Sequence, residues 1–425
     1  GPARSPRRWL AAALVGCLLL GVVAGGVVSA TVGGDARRAD SPTGPTSDAT
    51  PDPPTAAADL LSRLQRALGT GDRAALVRLA DPERPESLAL LASLARNARI
   101  LRLADVALRY VDSSDAALSD ADRHRYGADA WVADVEVSWR LRGVHRAVST
   151  LEVPLVLGWR GGRAVLEGPL LRQGTRMPLW LVDRLVVRRT PDTLVLAADR
   201  RDAAATQRQA VRAVVTVSTT LPGWDGPLVV EVPADRDQFL AASGLSAGNA
   251  RSIAAVTTTT DGSVRATSPV HVFVNPAVFD LLGPHAGQIV LSHEAAHVAL
   301  GAADTSMPIW LSEGMADHLA LLDTPIPVPV LSAQIRSLVR KQGPPERLPG
   351  SEELDGSDPD VGAWYEASWL AVRLLGEQHG QDALLRFYRA ADRTGDTGRA
   401  FRQVLGIDER LFVQQWRAQL VELAR

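Results

Sequence analysis

Residues 288–301 form an apolar segment, QIVLSHEAAHVALG, which carries two histidines and one glutamate in the spacing His293-Glu294-x-x-His297. Its length and composition predict a helix that is mostly buried. Buried imidazole and carboxylate groups need partners, because an unpaired polar group in the core costs folding free energy. Any fold of this chain must therefore bring partners for these side chains from another segment. A surface helix with two incidental histidines is the alternative, and the apolar flanks disfavour it.

The spacing of the two histidines also has a chemical meaning. Residues four apart on a helix lie about 40° apart around its axis, so both imidazoles can bind one metal ion at about 2.0–2.1 Å. Glu294 projects to the side of that ion, where it can reach a bound water. Zinc lowers the pKa of such a water to about 7, and a neighbouring carboxylate can take its proton as the hydroxide attacks a carbonyl. The spacing predicts a hydrolase with Zn²⁺ as cofactor and Glu294 as general base.

The third protein ligand of such a site must be a histidine or a carboxylate, because Cys17 is the only cysteine in the chain. The extended HExxHxxGxxH motif is not present, since Leu300 and Ala303 occupy the places of its glycine and its third histidine. Asp304 is one candidate for the third ligand, but its loop would have to fold back toward the two histidines.

A second motif, WLSEGMAD, follows at residues 310–317. We expect a helix that starts at Ser312 or a neighbour, runs to Leu322 and is ended by a Thr-Pro pair. Glu313 and Asp317 are four residues apart and share one face of this helix. The simplest interpretation makes Glu313 the third metal ligand and lets Asp317 accept the free ring N–H of a bound histidine. The alternative for Glu313 is an ordinary acidic residue in a first helical turn.

The two motifs together resemble those of the gluzincins, the zinc-peptidase clan of thermolysin and the membrane-alanyl-type aminopeptidases, and most closely the bacterial peptidase-MA-like proteins. The resemblance covers about residues 190–425 and implies a thermolysin-like domain in which a mixed sheet precedes the helices. It also implies a peptidase that acts on a peptide or protein substrate. By the same resemblance, the metal ligands are His293, His297 and Glu313, the base is Glu294, and Asp317 orients His293.

The clan also uses a tyrosine or a histidine to hydrogen-bond the oxyanion of the tetrahedral intermediate. The resemblance assigns this role to Tyr365, near the start of a predicted helix, with His379 at its end as second candidate; a packing tyrosine is the structural alternative. The GxMEN segment of the aminopeptidases is absent, so we expect no aminopeptidase specificity and slightly favour an endopeptidase. In this clan, a strand such as residues 270–274 borders the cleft and can pair with an extended peptide.

Three further histidines are expected to be structural. His318 follows Asp317 and points to the opposite side of its helix, His271 lies in a predicted strand, and His285 lies at a helix start. Neither His271 nor His285 has a partner at the spacing of metal ligands. We therefore leave all three out of the predicted site.

The N-terminal residues predict a membrane anchor. Residues 9–32 carry no charge, and a helix of this length spans a bilayer core of roughly 30 Å. Arg4, Arg7 and Arg8 precede it, so the positive-inside rule leaves the N-terminus in the cytoplasm and the rest of the chain outside. We assign residues 1–34 to this single-pass anchor. The alternatives are a secreted protein, through signal cleavage at residues 28–30, and a lipidated Cys17.

Composition divides the remaining chain into a linker and two domains. Residues 35–57 are rich in Pro, Thr, Ser, Asp and Ala and predict a disordered linker. Residues 58–188 read as short helices, broken near Gly69, followed by alternating strands with a hairpin turn at Gly161-Gly162. This order resembles the α+β cone of nuclear-transport-factor-like domains. Residues 189–425 form the predicted peptidase domain, so the expected fold class is α+β throughout. In this domain we expect strands at residues 193–197, 228–232 and 270–274. Besides the helices of the two motifs, we expect helices at residues 201–217, 235–242, 276–283, 364–379, 381–392, 398–405 and 408–424.

Composition also excludes several classes of function. The formal net charge of −2 gives no strong field for nucleic acid. No phosphate-binding GxxxxGK[ST] loop surrounds Lys341, the only lysine, and no GxGxxG motif occurs, so we expect no bound nucleotide. Two alternatives to a peptidase stay open. One is a non-catalytic, membrane-tethered binding or assembly protein with a structural or degenerate zinc site, and the other is a zinc hydrolase that acts on a different bond.

Overall fold

The computed structural model describes residues 52–113, 118–172, 174–224, 226–265, 267–301, 307–354 and 358–425. These residues form a mixed α+β fold with two separate sheets, as the sequence predicted at that level. The predicted anchor (residues 1–34), most of the predicted linker and Asp304 lie outside the described residues. Within them, no helix has both the length and the apolar character needed to cross a membrane.

The described chain divides into two compact units. The N-terminal unit contains the described residues up to Leu171 together with Trp180–Arg184, and the C-terminal unit contains Arg172–Leu179 and Leu185–Arg425. A short helix, Leu179–Val182, begins in the C-terminal unit with Leu179 and continues in the N-terminal unit from Trp180.

The N-terminal unit consists of helices followed by an antiparallel sheet with strand order β1-β2-β3-β4. Its elements are α1 (Pro53–Thr70), α2 (Arg73–Val77), α3 (Pro85–Leu101), β1 (Leu103–Ser113), α4 (Asp120–Tyr126), β2 (Trp131–Leu141), β3 (Ser149–Arg160), β4 (Arg163–Pro169) and α5 (Leu179–Val182). The predicted helix break is confirmed, because Gly71 ends α1 in the left-handed conformation. The predicted strands correspond to β2, β3 and β4.

Strand β1 was not predicted from the sequence. Its pairing with β2 shifts register between Ala104 and Ala107 and again between Tyr110 and Asp112. Such irregularities place an extra residue in one strand and interrupt the period-two alternation of buried and exposed side chains. The sequence pattern by which a half-buried strand is recognised is therefore missing from β1.

The C-terminal unit contains a five-stranded sheet with strand order β5-β6-β7-β9-β8. The strands are β5 (Val186–Arg189), β6 (Thr193–Ala197), β7 (Leu228–Val232), β8 (Ala255–Thr259) and β9 (Val270–Val274). The three middle strands are parallel, and β5 and β8 pair antiparallel at the two edges. Three strands were predicted with these same bounds, and β5 and β8 were missed.

The position of β9 corrects one expectation. Residues 270–274 were expected to border a cleft and to pair with an extended peptide. In the structure β9 lies between β7 and β8 and forms ladders with both, so its backbone has no free edge. Among the described strands, β8 pairs with β9 alone, and β8 rather than β9 is the edge strand on this side of the sheet.

Helices make up the rest of the C-terminal unit, and every element after Gly283 in its described part is helical. The helices are α6 (Arg200–Thr220), α7 (Arg236–Ser243), α8 (Pro276–Phe279), α9 (Pro284–Leu300), α10 (Ile309–Leu321), α11 (Val328–Leu331), α12 (Ala333–Gln342), α13 (Val361–His379), α14 (Gln381–Thr394), α15 (Thr397–Ala400) and α16 (Glu409–Ala424), with a π-helical turn at Phe401–Leu405 and a 3₁₀ turn at Asn249–Arg251. Of these, α11 and α12 were not predicted.

Helix α9, which carries the two histidines, is buried by its neighbours. Pro284 is its first residue and Gly301 ends it in the left-handed conformation, two positions that favour proline and glycine respectively. The helix packs against α6 on one side, α10 on another and the sheet beneath. Residues 289–297 are buried without exception, as the apolar flanks predicted.

Helix α10 begins at Ile309, three residues before the predicted start at Ser312. Pro308 occupies the N-cap position, and Ser312 therefore lies inside the helix with a buried side chain instead of capping it. The helix packs closely against α13 at Gly314. A Cβ atom there would lie 2.5 Å from the carbonyl oxygen of Ser368, so only glycine allows this approach.

Candidate metal centre

Three side chains from α9 and α10 converge on one point. The Nε2 atoms of His293 and His297 are 3.0 Å apart, and Oε2 of Glu313 lies 3.4 Å from the first and 3.5 Å from the second. In the described part of the chain, this is the one group of three or more His, Cys, Asp or Glu residues whose ligand atoms lie within 4.8 Å of one another. The structure thus brings together the three ligands that the sequence predicted.

The distances between these atoms are compatible with a shared metal ion. Ligand atoms about 2.0–2.1 Å from a tetrahedral ion are separated from each other by roughly 3.3 Å. The three measured separations, 3.0, 3.4 and 3.5 Å, surround that value. Neither carboxylate oxygen of Glu313 has a hydrogen-bond partner among the described residues, although both are buried. Buried oxygens of this kind are satisfied when they bind a cation.

The charge of the centre also calls for a cation. Five ionisable side chains meet here, and each exposes between 1% and 4% of its surface: His293, Glu294, His297, Glu313 and Asp317. With neutral histidines and ionised carboxylates, the group carries three negative charges in the core. Buried charges persist when they are paired or bind metal, and a divalent ion would offset two of the three. The group can therefore hold a metal ion.

The same buried charges shift the pKa values of two of the predicted ligands, His293 and Glu313. Burial alone would lower the pKa of His293, but the charge and the hydrogen bond of Asp317, together with the charge of Glu313, raise it well above its usual range. Burial opposes ionisation of Glu313, yet its contacts with His297 and His293 lower the pKa of this carboxyl to about 2. The shifts of His293 and Glu313 both follow from the opposite charges that these two side chains place beside each other. A divalent cation between them would supply the positive charge without protonating the histidines.

Asp317 fixes the orientation of the first histidine. Its Oδ1 atom lies 2.8 Å from Nδ1 of His293, on the side of the ring opposite the Nε2 atom that faces the cluster. A carboxylate in this position accepts a hydrogen bond from Nδ1–H and leaves Nε2 free to bind a metal. His297 differs, because its Nδ1 atom is buried and has no hydrogen-bond partner among the described residues.

We expect Asp317→Asn to weaken metal binding by about 10- to 100-fold while leaving the fold intact, because the amide can still accept the hydrogen bond but carries no charge. A competition titration with a chromophoric chelator measures this loss. Asp323→Asn, at an exposed aspartate just beyond α10, is the matched control and should bind the metal like the wild type. Equal affinity of Asp317→Asn and the wild type would contradict the role of Asp317.

Glu294, the predicted base, lies beside the ligands and is held by the sheet. The Thr257 hydroxyl donates a hydrogen bond of 2.6 Å to Oε2 of Glu294. Burial raises the pKa of Glu294, and the neighbouring histidines and the Thr257 hydrogen bond partly offset this effect. Thr257 lies in the middle of the edge strand β8, so this strand runs next to the cluster. Sequence analysis did not single out Thr257, because one threonine in a run of four carries no recognisable signal.

Tyr388 is a second residue that the sequence did not single out. It lies on α14, its side chain is 2% exposed, and its hydroxyl group is buried. Burial raises the pKa of Tyr388, and the negative charges of Asp392 and Glu313 act in the same direction. The hydroxyl is therefore within electrostatic reach of a predicted ligand. In the sequence, Tyr388 is one of several apolar-face residues of an amphipathic helix, and nothing distinguishes it from a packing residue.

The predicted oxyanion donor, Tyr365, is completely buried on α13, the helix that packs against α10. It belongs to the main hydrophobic core of the C-terminal unit, and its proposed contact with a substrate stays a prediction. The second candidate, His379, is the last residue of the same helix.

The remaining histidines of the C-terminal unit do not join the cluster. Nδ1 of His271, on β9, lies 2.6 Å from Oε1 of Glu231 on the neighbouring β7, and both side chains are buried. Nε2 of His318 lies 3.1 Å from Oε1 of Gln381, and burial lowers the pKa of His318. His285 is exposed at the start of α9.

Comparisons with known proteins found no match for this chain. No protein-family model matches the chain, no curated protein matches it, and no solved structure matches it. The function is therefore inferred from the residues of this chain and from their geometry.

Proposed function

We propose that this protein is a zinc metallopeptidase of the gluzincin type, most similar to the peptidase-MA-like proteins of bacteria. One observation carries the proposal. His293, His297 and Glu313 come within ligand distance of one another, and Glu294 lies in the same buried group. Two imidazoles and one carboxylate are the ligand set of catalytic zinc sites in which a fourth position is left for water or substrate. Zinc bound there would act as a Lewis acid and lower the pKa of a bound water.

The side chains of the protein account for the proton transfers. Glu294 is not needed as a ligand, because three others already converge, and it can act as the general base. Burial raises its pKa, which moves the carboxylate toward the range in which a base both accepts and returns a proton near neutral pH. Thr257 holds one carboxylate oxygen by its hydrogen bond and leaves the other for the reacting proton. Asp317 keeps His293 in the tautomer in which Nε2 faces the cluster.

A peptide or protein substrate is part of the proposal because of the resemblance of the two motifs to the gluzincins. In the structure, the Thr257 hydroxyl connects the edge strand β8 to the proposed base. Four of the five residues of β8 are buried, so this strand supports the base and does not present an open backbone edge.

The proposal also includes the type of each domain and the membrane anchor. A parallel-centred sheet followed by helices, with the ligands on α9 and α10, is consistent with a thermolysin-like domain over residues 189–425. The helices and four-stranded antiparallel sheet of the N-terminal unit are consistent with a nuclear-transport-factor-like cone over residues 58–188. We further propose that residues 1–34 anchor the protein in the cell membrane with the later domains outside the cytoplasm.

Metal removal tests the proposed activity. The purified full chain should cleave peptides from a mixed-sequence fluorogenic library, lose this activity after treatment with 1,10-phenanthroline, and recover it when about one equivalent of Zn²⁺ is returned. The non-chelating isomer 1,7-phenanthroline is the control and should leave the activity unchanged. Peptide cleavage that survives complete metal removal would contradict the proposal. A metal-loaded protein that cleaves no peptide would also contradict it.

A further inference from the structure

The N-terminal unit contains a second candidate site, which the proposed peptidase chemistry does not use. A cavity of about 520 Å³ lies beside α3 and is lined by four arginines, Arg73, Arg96, Arg99 and Arg184. The remaining lining residues are Gly71 and small residues of α3, among them Ala89 and Ala92. A cavity of this volume is large enough for a small-molecule ligand.

The charge of this cavity is not neutralised by the protein. No acidic residue lines it, and none of the four arginines forms an ion pair with a carboxylate of the described residues. Elsewhere in the same unit, five arginines do have carboxylate partners: Arg63, Arg84, Arg109, Arg140 and Arg160. The acids next to Arg73 and Arg184 in the sequence form local backbone contacts and no ion pair with the cavity arginines: Asp72 accepts from the Ala75 amide and Asp183 accepts from the Arg184 amide.

Helix electrostatics explain only part of this arrangement. Arg99 lies in the last turn of α3, where a cation is favoured by the helix dipole. Arg73 is the first residue of α2, where a cation is disfavoured. The Nε atom of Arg96 is buried and has no hydrogen-bond partner among the described residues, which is unfavourable without a ligand. Four cations around one cavity repel each other, and a bound anion would relieve both that repulsion and the unpaired nitrogen.

We propose that this cavity binds a ligand through one or more phosphate groups. The planar guanidinium of arginine matches phosphate oxygens in a bidentate geometry. A phosphate monoester carries about −1.5 to −2 charges at neutral pH, so two such groups nearly balance four arginines and one offsets up to half of their charge, more than a single carboxylate can. The cavity lining includes no aromatic side chain on which a base could stack, which disfavours nucleic acid.

The phosphate can come from a free phosphorylated compound or from a phospholipid headgroup, and two soluble probes distinguish these sources. We would titrate the full chain with pyrophosphate and with dihexanoyl phosphatidic acid, at about 0.15 M ionic strength, by isothermal calorimetry. Dihexanoyl phosphatidylcholine is the zwitterionic control and should not bind this cavity. Tighter binding of pyrophosphate indicates a free ligand, and tighter binding of phosphatidic acid indicates a lipid headgroup.

Substitution of the arginines tests whether the probes bind in this cavity. Arg96→Gln and Arg99→Gln should each weaken the tighter probe by roughly tenfold, because each removes one charge-assisted hydrogen-bonding group. Arg96→Lys should weaken it less, since the charge is kept and the bidentate geometry is lost. Arg142→Gln, at an exposed arginine that does not line the cavity, is the matched control and should bind like the wild type.

Two outcomes would overturn this proposal. One is that neither probe binds the wild-type protein, and the other is that the Arg96 and Arg99 variants bind as tightly as the wild type. If a glutamine variant fails to fold, as judged by its thermal transition, Arg73→Gln and Arg184→Gln, at two exposed arginines of the lining, replace it. Undiminished binding in those variants would equally overturn the proposal.

Discussion

Replacing Glu294 by glutamine is expected to reduce peptide hydrolysis by about 10²- to 10⁴-fold while the metal stays bound. The amide has nearly the same shape as the carboxylate, and its oxygen can still accept the 2.6 Å hydrogen bond from Thr257. It cannot accept a proton at neutral pH, so the step that activates water is lost. Three other side chains provide the ligand atoms, and the metal content should therefore be unchanged.

This experiment needs rates and metal content from the same preparations. Initial rates on a cleaved peptide give the loss of activity, and plasma mass spectrometry gives the metal stoichiometry. Glu346→Gln, at an exposed glutamate, is the matched control and should match the wild type in both measurements. Hydrolysis by Glu294→Gln at the wild-type rate would reject Glu294 as base, and a loss of metal would mean that Glu294 is a ligand.

Replacing Glu313 by glutamine is expected to have the largest effect on metal binding. Glu313 is the only carboxylate of the three-ligand group, so its charge is the one that directly offsets the charge of a bound divalent ion. Loss of that charge should weaken metal binding by more than about 100-fold, beyond the effect expected for a residue that only orients a ligand. Activity at limiting zinc should fall in proportion.

Thermal unfolding gives a readout of this loss that does not depend on activity. A ligand present at about 1,000 times its dissociation constant stabilises the folded state by about 4 kcal/mol, so zinc should raise the melting temperature of the wild type measurably. Glu313→Gln should show little or no shift at the same zinc concentration, whereas Glu352→Gln, at an exposed glutamate, should show the full shift. An equal shift in Glu313→Gln would mean that the metal binds elsewhere.

The elements that could be predicted from the sequence are those in which the local pattern and the burial agree. Strands β6, β7 and β9 were predicted with their observed bounds, because buried, mostly parallel strands read as short apolar runs between turns. Strands β1 and β8 were missed for different reasons. Register shifts interrupt the alternation of β1, and four of the five residues of β8 are buried, so its threonine-rich sequence shows no alternation.

Some features of the candidate site could also be predicted from the local sequence, and others could not. The convergence of His293 and His297 follows from helical geometry alone, since four residues return a side chain to the same face. Their meeting with Glu313 depends on how α10 packs on α9, which the sequence indicated through the missing third ligand, the shared helix face of Glu313 and Asp317, and the resemblance of the WLSEGMAD motif. Thr257 contacts Glu294 from a distant strand, and no local pattern marks such a residue.

Anomalous diffraction from crystals of the zinc-loaded protein, recorded on both sides of the zinc absorption edge, would locate the ion directly. We predict a single strong peak about 2.0–2.1 Å from Nε2 of His293, Nε2 of His297 and a carboxylate oxygen of Glu313. A zinc peak bound to other residues would contradict the proposed metal centre. So would the absence of any peak between these three side chains.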